Sequence, residues 1–171
     1  MSSPNTPGLR GLQAREKFEK LIDEVSKARQ KHAKSKPLLI KISPDLSIAE
    51  KKDIADVILA KNKIQTQIDG LIVSNTTTSR PCASGENSAV DEVGGLSGQP
   101  LRPLSTQAIK DMYKLTKGTI PIIGVGGVFT GEDAFEKIKA GASLVQIYTS
   151  LAYEGPPVVT TIKRQLSHLL K

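Results

Sequence analysis

Polar side chains interrupt or follow apolar runs at two points in the chain, and their types suit binding of a small polar ring. Lys41 lies inside the apolar run 37–42, and Asn75 and Thr76 follow the run 68–73. A lysine in a buried strand is rare unless it is paired or functional. Amide and hydroxyl groups supply hydrogen-bond donors and acceptors. We therefore expect a site at the strand ends, although Lys41 on the rim of an edge strand and ordinary turn residues would explain the same pattern.

A second pattern predicts an anion site. An apolar run that begins at Ile120 ends in the turn carrying Gly126 and Gly127, where the absence of Cβ atoms lets backbone amides approach a ligand. Thr130 and Asp133 then form a capping pair that opens a helix. A helix N-terminus attracts anions, so strand, turn and helix together predict a cradle for phosphate.

The next strand supports the same prediction. It covers residues 144–149, and in (β/α)8 barrels the loops after strands 7 and 8 frequently share one phosphate. The alternative is that the glycines only form a tight corner between strand and helix. The turn lacks the G-x-G-x-x-G spacing of a dinucleotide site.

Four units of strand and helix must position these residues. The predicted strands are 37–42, 68–73, a run beginning at 120, and 144–149, and the predicted helices are 14–30, one opened by the capping box Ser47-x-x-Glu50, 104–116, 130–140, and one opened by Pro156. Such alternation is typical of βα units with a parallel sheet. Four units make half of a (β/α)8 barrel, which usually needs about 250 residues.

Two irregular segments remain. Residues 1–10 have the composition of a loop, which is either functional or a disordered terminus. The long connection 74–103 contains the segment 94–98, in which small residues surround one leucine. That composition fits close approach of the backbone to a flat ligand, and a flexible hinge equally well.

Composition excludes several classes of function. The chain of 171 residues has a single cysteine, Cys82, which cannot form an intrachain disulfide. His32 and His168 stand apart, so no metal site is expected. The net charge of +7 falls mostly on helix faces with few aromatic residues, which favours solvated faces over nucleic-acid binding. Without a catalytic triad or a carboxylate pair, a cofactor is the better candidate for the chemistry.

Several spaced motifs together resemble the dihydroorotate dehydrogenase family, in its class 2, quinone-linked type. They are the segments 2–10, 41–46, 69–77, 94–98, 122–128 and 141–149. The resemblance covers nearly the whole chain. It implies an α/β fold, the (β/α)8 TIM barrel with FMN over its C-terminal mouth. Residues 1–171 would form the C-terminal half, with the N-terminal half and its membrane-associated helices absent.

The resemblance also implies roles for individual residues. Ser3 would be the base that removes the C5 proton of dihydroorotate while hydride passes from C6 to the flavin, and serine rather than cysteine there indicates class 2. Thr6 is the candidate for a proton relay. The substrate would be held by Asn5, Thr6, Asn75 and Thr76. The residues implied to bind FMN are Lys41, Ser74, Ser97, Gly98, Gly126, Gly127, Tyr148 and Thr149.

The implied activity is oxidation of (S)-dihydroorotate to orotate in pyrimidine biosynthesis, with ubiquinone as acceptor. The implied location is the mitochondrial inner membrane, or the cytoplasmic membrane of a bacterium, reached through the missing N-terminal region. No nucleic-acid partner is expected, and the isolated fragment is expected to be inactive. The alternatives are another FMN or sugar-phosphate barrel enzyme, a basic binding module, and an inert half barrel.

Overall fold

The chain folds around one parallel β-sheet. The computed structural model describes residues 1–33, 36–63, 68–80 and 92–171. Within them the sheet has four strands in the order β1-β2-β3-β4, which are β1 Leu39–Ile42, β2 Gly70–Val73, β3 Ile122–Val125 and β4 Leu144–Gln146. Sequential order with parallel pairing follows from the helical crossovers between strands.

Helices connect the strands and cover the sheet. They are α1 Arg15–His32, α2 Ile48–Lys63, α3 Arg102–Leu115, α4 Gly131–Lys139, α5 Thr149–Glu154 and α6 Pro157–Leu169. Two short 3₁₀ helices, Leu9–Gln13 and Gln99–Leu101, precede α1 and α3. None of the helices in the described ranges is long and apolar enough to cross a membrane.

The register brings the carboxyl ends of all four strands to one edge. Ile42 is paired with Val73, Val73 with Gly124, and Val125 with Gln146. The loops that follow the strands therefore meet at this edge, where ligands bind in parallel α/β folds.

Apolar side chains form two buried clusters. The larger lies between β1–β3 and the helices α1–α3, and includes Phe18, Ile42, Ile54, Leu71, Ile109 and Ile122. The smaller lies between α4 and α6 and consists of Val128, Ala134, Val158 and Ile162. The second cluster holds α6 against α4, so the helix after the predicted phosphate turn has a packed support.

The predicted alternation of strands and helices is confirmed, with boundaries that differ by a few residues. The capping box of α2 forms, since the Ser47 amide and the Glu50 side chain are 2.8 Å apart and the reciprocal bond is 3.3 Å long. One prediction is wrong: the strand expected over 144–149 ends at Gln146, and Thr149 begins α5. The backbone of Tyr148, at φ −140° and ψ −64°, has left the extended conformation. Cys82 lies outside the described residues.

Candidate functional site

The loops at the carboxyl edge of the sheet enclose an open cleft of about 230 Å³. Its walls come from the end of β1, the segments after β2 and β3, the connection before α3, and the loop between β4 and α5. The lining residues are Lys41, 74–76, Ser97, Gly98, Leu101, 125–129 and 146–150. All eight residues predicted to bind the cofactor line this cleft, as do Asn75 and Thr76. Ser3, Asn5 and Thr6 are not among its lining residues.

Lys41 reaches the cleft from β1, an outer strand of the sheet within the described residues. It lies in β1 opposite Ile72 and is half-buried, not fully buried as its apolar neighbours suggested. Among the described residues, Lys41 has no ion-pair partner, and it borders the cleft. A cation in this position favours an anionic or electron-rich ligand.

The turn after β3 accepts glycine alone at its tightest point. Gly127 has φ +73°, and an added Cβ would lie 2.5 Å from Cβ and 2.7 Å from the backbone N of Arg102. Gly126 has φ +122°, and a Cβ added there would lie 3.0 Å from side-chain atoms of both Leu101 and Ser105. The two glycines thus bring the backbone against the start of α3 while one face borders the cleft.

The N-terminus of α4 does not provide the amides that the sequence predicted. The capping box of Thr130 and Asp133 is present. The Asp133 carboxylate accepts the amides of Phe129 at 2.9 Å and Thr130 at 3.0 Å, and the Gly131 amide donates to Gln165 at 2.7 Å. Because these donors are occupied and a carboxylate stands among them, α4 is a poor anion site. That part of the predicted cradle is wrong.

A second helix start, that of the short helix α5, also borders the cleft. Its N-cap, Tyr148, makes no side-chain hydrogen bond to the helix, so the first amides are left for solvent or a ligand. Ser150, in the first turn, borders the cleft and has a buried hydroxyl with no partner among the described residues. The glycine turn and the start of α5 therefore lie at the same edge of the cleft. In barrels, the last two strand loops and a short extra helix frequently form a phosphate site.

The N-terminal loop is fastened beside the cleft. The Asn75 side chain donates to Ser2 Oγ at 3.1 Å, and the Gly95 amide donates to Asn5 Oδ1 at 3.0 Å. Between these two anchors Ser3 is half-buried, with its Oγ accepting the Asn5 amide at 3.3 Å. Thr6 is exposed, and no hydrogen bond joins its side chain to Ser3 in the ranges described.

The segment 94–98 approaches this loop closely. A Cβ on Gly95 would lie 1.9 Å from Thr76 Oγ1 and 2.8 Å from Pro4 Cγ. Leu96 also pairs with Thr77 through two backbone hydrogen bonds, of 3.2 and 2.8 Å. Close packing therefore explains the small residues of this segment better than a hinge does.

Asp45 holds the same loops together, a role that its local sequence does not indicate. Its carboxylate accepts from Arg10 at 2.8 Å, from the Thr78 amide at 3.0 Å and from the Thr77 hydroxyl. Arg10 also donates to the Thr76 carbonyl at 3.3 Å. Burial alone would raise the pKa of Asp45, but these hydrogen bonds and the Arg10 cation lower it. Ionised Asp45 thus links the N-terminal loop to the residues after β2.

Two histidines and one glutamine lie outside the groups described so far. His32 and His168 are exposed on α1 and α6. Within the described ranges no group of three or more His, Cys, Asp or Glu residues could hold a metal. Gln146, at the end of β4, is exposed and borders the cleft, although it is not among the predicted site residues.

This arrangement can be compared with known proteins. The family model described as dihydroorotate dehydrogenase matches residues 1–170. The chain belongs to the dihydroorotate dehydrogenase family. It is 53% identical over 173 residues to the mitochondrial dihydroorotate dehydrogenase (quinone) of Mus musculus. It is 50% identical over 168 residues to the dihydroorotate dehydrogenase (quinone) of the bacterium Parvibaculum lavamentivorans. It spans 42% and 45% of those proteins, less than half of their length.

Solved dihydroorotate dehydrogenases share the fold. The structure of the Eimeria tenella enzyme in complex with ferulenol superposes with a TM-score of 0.89 at 42% identity, covering 99% of this chain and 48% of that one. The ligand-free Eimeria tenella enzyme gives 0.88 at 44% identity. The predicted fold class is therefore confirmed: the four-stranded sheet corresponds to about half of a TIM barrel.

Dihydroorotate dehydrogenases generally use a flavin, and the cleft suits one. The cleft has a volume of about 230 Å³ and is open on one side. The glycine turn leaves no room for a side chain, and the unpartnered Ser150 hydroxyl lies beside the uncapped start of α5. A phosphate tail fits these donors, while Lys41 and the amide of Asn75 supply polar contacts for a ring.

Proposed function

We propose that this chain supplies the C-terminal half, residues 1–171, of the FMN- and orotate-binding barrel of a class 2 dihydroorotate dehydrogenase. The reaction is oxidation of (S)-dihydroorotate to orotate with a quinone as acceptor. The observation that carries the proposal is the convergence of ten site residues, from five separate segments, on one cleft. The names of the relatives, which specify dihydroorotate and a quinone, support the same reaction.

FMN would be held along the length of the cleft. The glycine turn at Gly126 and Gly127, together with Tyr148 and Thr149, would bind its phosphate. Ser74, Ser97 and Gly98 would border the remainder, and Lys41 would lie near the ring. When bound, FMN supplies the hydride acceptor for the reaction.

Ser3 is the proposed base for the C5 proton of dihydroorotate. Serine is a weak base in water, so the site must favour the deprotonated hydroxyl. The Asn5 amide already donates to Ser3 Oγ at 3.3 Å, and a hydrogen bond to the charged form lowers a pKa. Ser3 is half-buried, and substrate would exclude further water from it. Thr6 is the proposed relay for the proton.

Amide and hydroxyl groups around Ser3 would orient the substrate. Asn75 and Thr76 border the cleft, and Asn5 lies against Gly95 beside them. Amides from Asn5 and Asn75 can both donate to and accept from the ring amide groups, while Thr76 and Thr6 supply hydroxyls. Holding the ring between two flanking segments places its C5 proton within reach of a fixed base, which accelerates proton transfer.

The acceptor and the location follow the relatives. Ubiquinone would reoxidise the flavin, through parts of the protein that precede this chain in the relatives' sequences. Peripheral association would place the protein at the mitochondrial inner membrane, or at the cytoplasmic membrane of a bacterium. The mouse relative is named as mitochondrial and the Parvibaculum relative is bacterial.

The test is reduction of bound flavin by dihydroorotate, followed anaerobically in the gene product that carries this chain. Ser3→Ala should slow reduction by roughly 10²- to 10⁴-fold, the usual contribution of a general base, without releasing the flavin. Ser167→Ala is the matched control, because Ser167 is an exposed serine on α6. Flavin that binds but is not reduced by dihydroorotate in the unsubstituted protein would contradict the proposed activity. Unchanged reduction by Ser3→Ala would remove Ser3 from the role of base.

A further inference from the structure

Beneath the glycine turn lies a lysine that the proposed mechanism does not use. Lys137 is on α4 and its side chain is fully buried. Its Nζ donates to the Arg102 carbonyl at 3.0 Å, to Ser105 Oγ at 3.1 Å and to Thr106 Oγ1 at 2.6 Å. All three partners are uncharged. A buried cation without a carboxylate in contact is costly and needs an explanation.

The partners of Lys137 lead directly to the floor of the cleft. Ser105 Oγ, which accepts from Lys137, donates to the Val125 carbonyl at 2.6 Å. Val125 and Gly126 both border the cleft, and a Cβ on Gly126 would lie 3.0 Å from Ser105 Cβ. The ammonium is therefore one hydroxyl away from the backbone that would contact a phosphate.

Charges near Lys137 do not cancel its own. Asp133, one turn earlier on α4, forms an ion pair with Arg102 from α3 and accepts two backbone amides. Glu136 is exposed at the surface of α4. Because Asp133 pairs with Arg102, the positive charge of Lys137 has no carboxylate in contact within the described ranges and lies close to the floor of the cleft. A desolvated charge acts strongly on its surroundings.

We infer that Lys137 is a further determinant of phosphate binding, which holds the glycine turn through Ser105 and attracts the phosphate through its buried charge. The inference deepens the proposed function and rests on it. Lys137 is a positioning residue, because no part of its side chain borders the cleft.

The charge of Lys137 can be removed by raising the pH moderately, because its pKa is lower than that of an ordinary lysine. Burial lowers the pKa to about 8, while Glu136 and Asp133 raise it and Arg102 lowers it further. Lys137 is therefore largely charged at pH 7 and loses its proton as the pH rises through about 8. A phosphate monoester is already mostly dianionic at pH 7, so the change above pH 7 belongs to the protein.

The test compares FMN with riboflavin, which has the same ring system but no phosphate. Equilibrium binding of each is measured to the flavin-free gene product that carries this chain, as quenching of flavin fluorescence. Lys137→Met should weaken FMN roughly tenfold or more, the effect of one removed charge near an anion, and leave riboflavin nearly unchanged. Lys137→Arg should restore part of the difference. Lys139→Met is the control, since Lys139 is exposed on the same helix over the Phe135 ring.

The unsubstituted protein gives a second measurement that does not depend on how the variants fold. Its preference for FMN over riboflavin should begin to fall near pH 8 and continue above it. Equal loss of both flavins in Lys137→Met, or a preference that is flat from pH 7 to about 9, would overturn the inference and leave the proposed function standing. Failure of the unsubstituted protein to bind either flavin would overturn the proposed function itself.

Discussion

Among single residues, carboxylates hold the loops of the candidate site in place. Asp45 joins Arg10, Thr77 and Thr78, which lie on segments far apart in the sequence. The N-terminal loop that carries Ser3 has no strand or helix of its own before Leu9. Its position therefore depends on such side-chain contacts, and a shift of about 1 Å in a catalytic group can cost roughly 10²-fold in rate.

Removing Asp45 should affect the two half-reactions, reduction of the flavin by dihydroorotate and its reoxidation by quinone, to different extents. We expect Asp45→Ala to slow flavin reduction by dihydroorotate roughly tenfold or more, while flavin content and reoxidation by quinone stay near normal. Hydrogen exchange in residues 2–10 should rise at the same time. Asp53→Ala is the control, because Asp53 pairs with Arg15 at 2.9 Å on the outer helices. Equal slowing of both half-reactions, or unchanged exchange in the loop, would contradict a positioning role.

A second carboxylate, Asp133, links the site to pH-dependent stability. Burial would raise its pKa, but the Phe129 amide, Arg102 and the Thr130 amide together lower it. A carboxyl whose pKa is lowered in the folded state stabilises the protein above its unfolded pKa of about 3.9. That contribution is lost as the pH falls through the folded pKa.

Replacing Asp133 should therefore cost most near neutral pH. We expect Asp133→Asn to lower the free energy of unfolding by about 1–2 kcal/mol at pH 7, the usual cost of a lost cap. The difference from the unsubstituted protein should shrink as the pH drops below about 4. Urea denaturation at several pH values measures it, with Asp53→Asn as the exposed control. A difference independent of pH would show that the charge of Asp133 is not the cause.

Among the structural elements, the turn between β3 and α4 forms the floor of the cleft. A Cβ on Gly127 would lie 2.7 Å from the backbone N of Arg102, and the φ of this residue, +73°, favours glycine. The turn is supported from below by Lys137 and Ser105 and from the side by Asp133. Any side chain at this point would push the start of α3 away from β3.

Substitution of Gly127 should accordingly affect both the fold and the cofactor. Gly127→Ala combines an unfavourable φ with a backbone overlap, and we expect a loss of about 2 kcal/mol or more in stability together with weakened flavin binding. Gly11→Ala is the matched control, because its Cβ would meet nothing within 4 Å and its φ is not in the positive range. Thermal unfolding and flavin content measure the two effects. Equal behaviour of the two variants would mean that the turn can relax.

Sequence patterns predicted the elements better than their ends and contacts. The helical spacing of Phe18 and Ile22 and the apolar strands correspond directly to the buried clusters. The short helix α5 was missed because Ile147 and Tyr148 continue the apolar run of β4, and the turn away from the sheet depends on tertiary packing. The link from Arg10 to Asp45 spans 35 positions without any periodic signal.

The predicted anion site was partly wrong for a related reason. The capping pair Thr130 and Asp133 was identified correctly, yet a completed capping box occupies the amides that an anion would need. Gln165 on α6, which takes the Gly131 amide, lies 34 positions away and could not be inferred from local sequence. The pairing of the last two loops in barrels depends on topology alone, and the phosphate site that it indicates stays a prediction.

At the scale of the whole molecule, the sheet has two outer strands, β1 and β4, each paired on one side within the described residues. Leu39 on β1 and Leu144 on β4 are 36% and 63% exposed. Exposed strand edges favour further pairing, and closure into a barrel would cover both. The relatives are more than twice as long as this chain, which covers 42% and 45% of them, a length that leaves room for the further strands of a closed barrel.

The proposed cleft is tested most directly by a crystal structure of the gene product that carries this chain, grown with FMN and orotate. We predict the phosphate on the amides of Gly126, Gly127 and Thr149, the ring beside Lys41, and orotate between Asn75 and the Ser3 loop. A flavin bound elsewhere, with these residues facing solvent, would rule out the proposed FMN and orotate site.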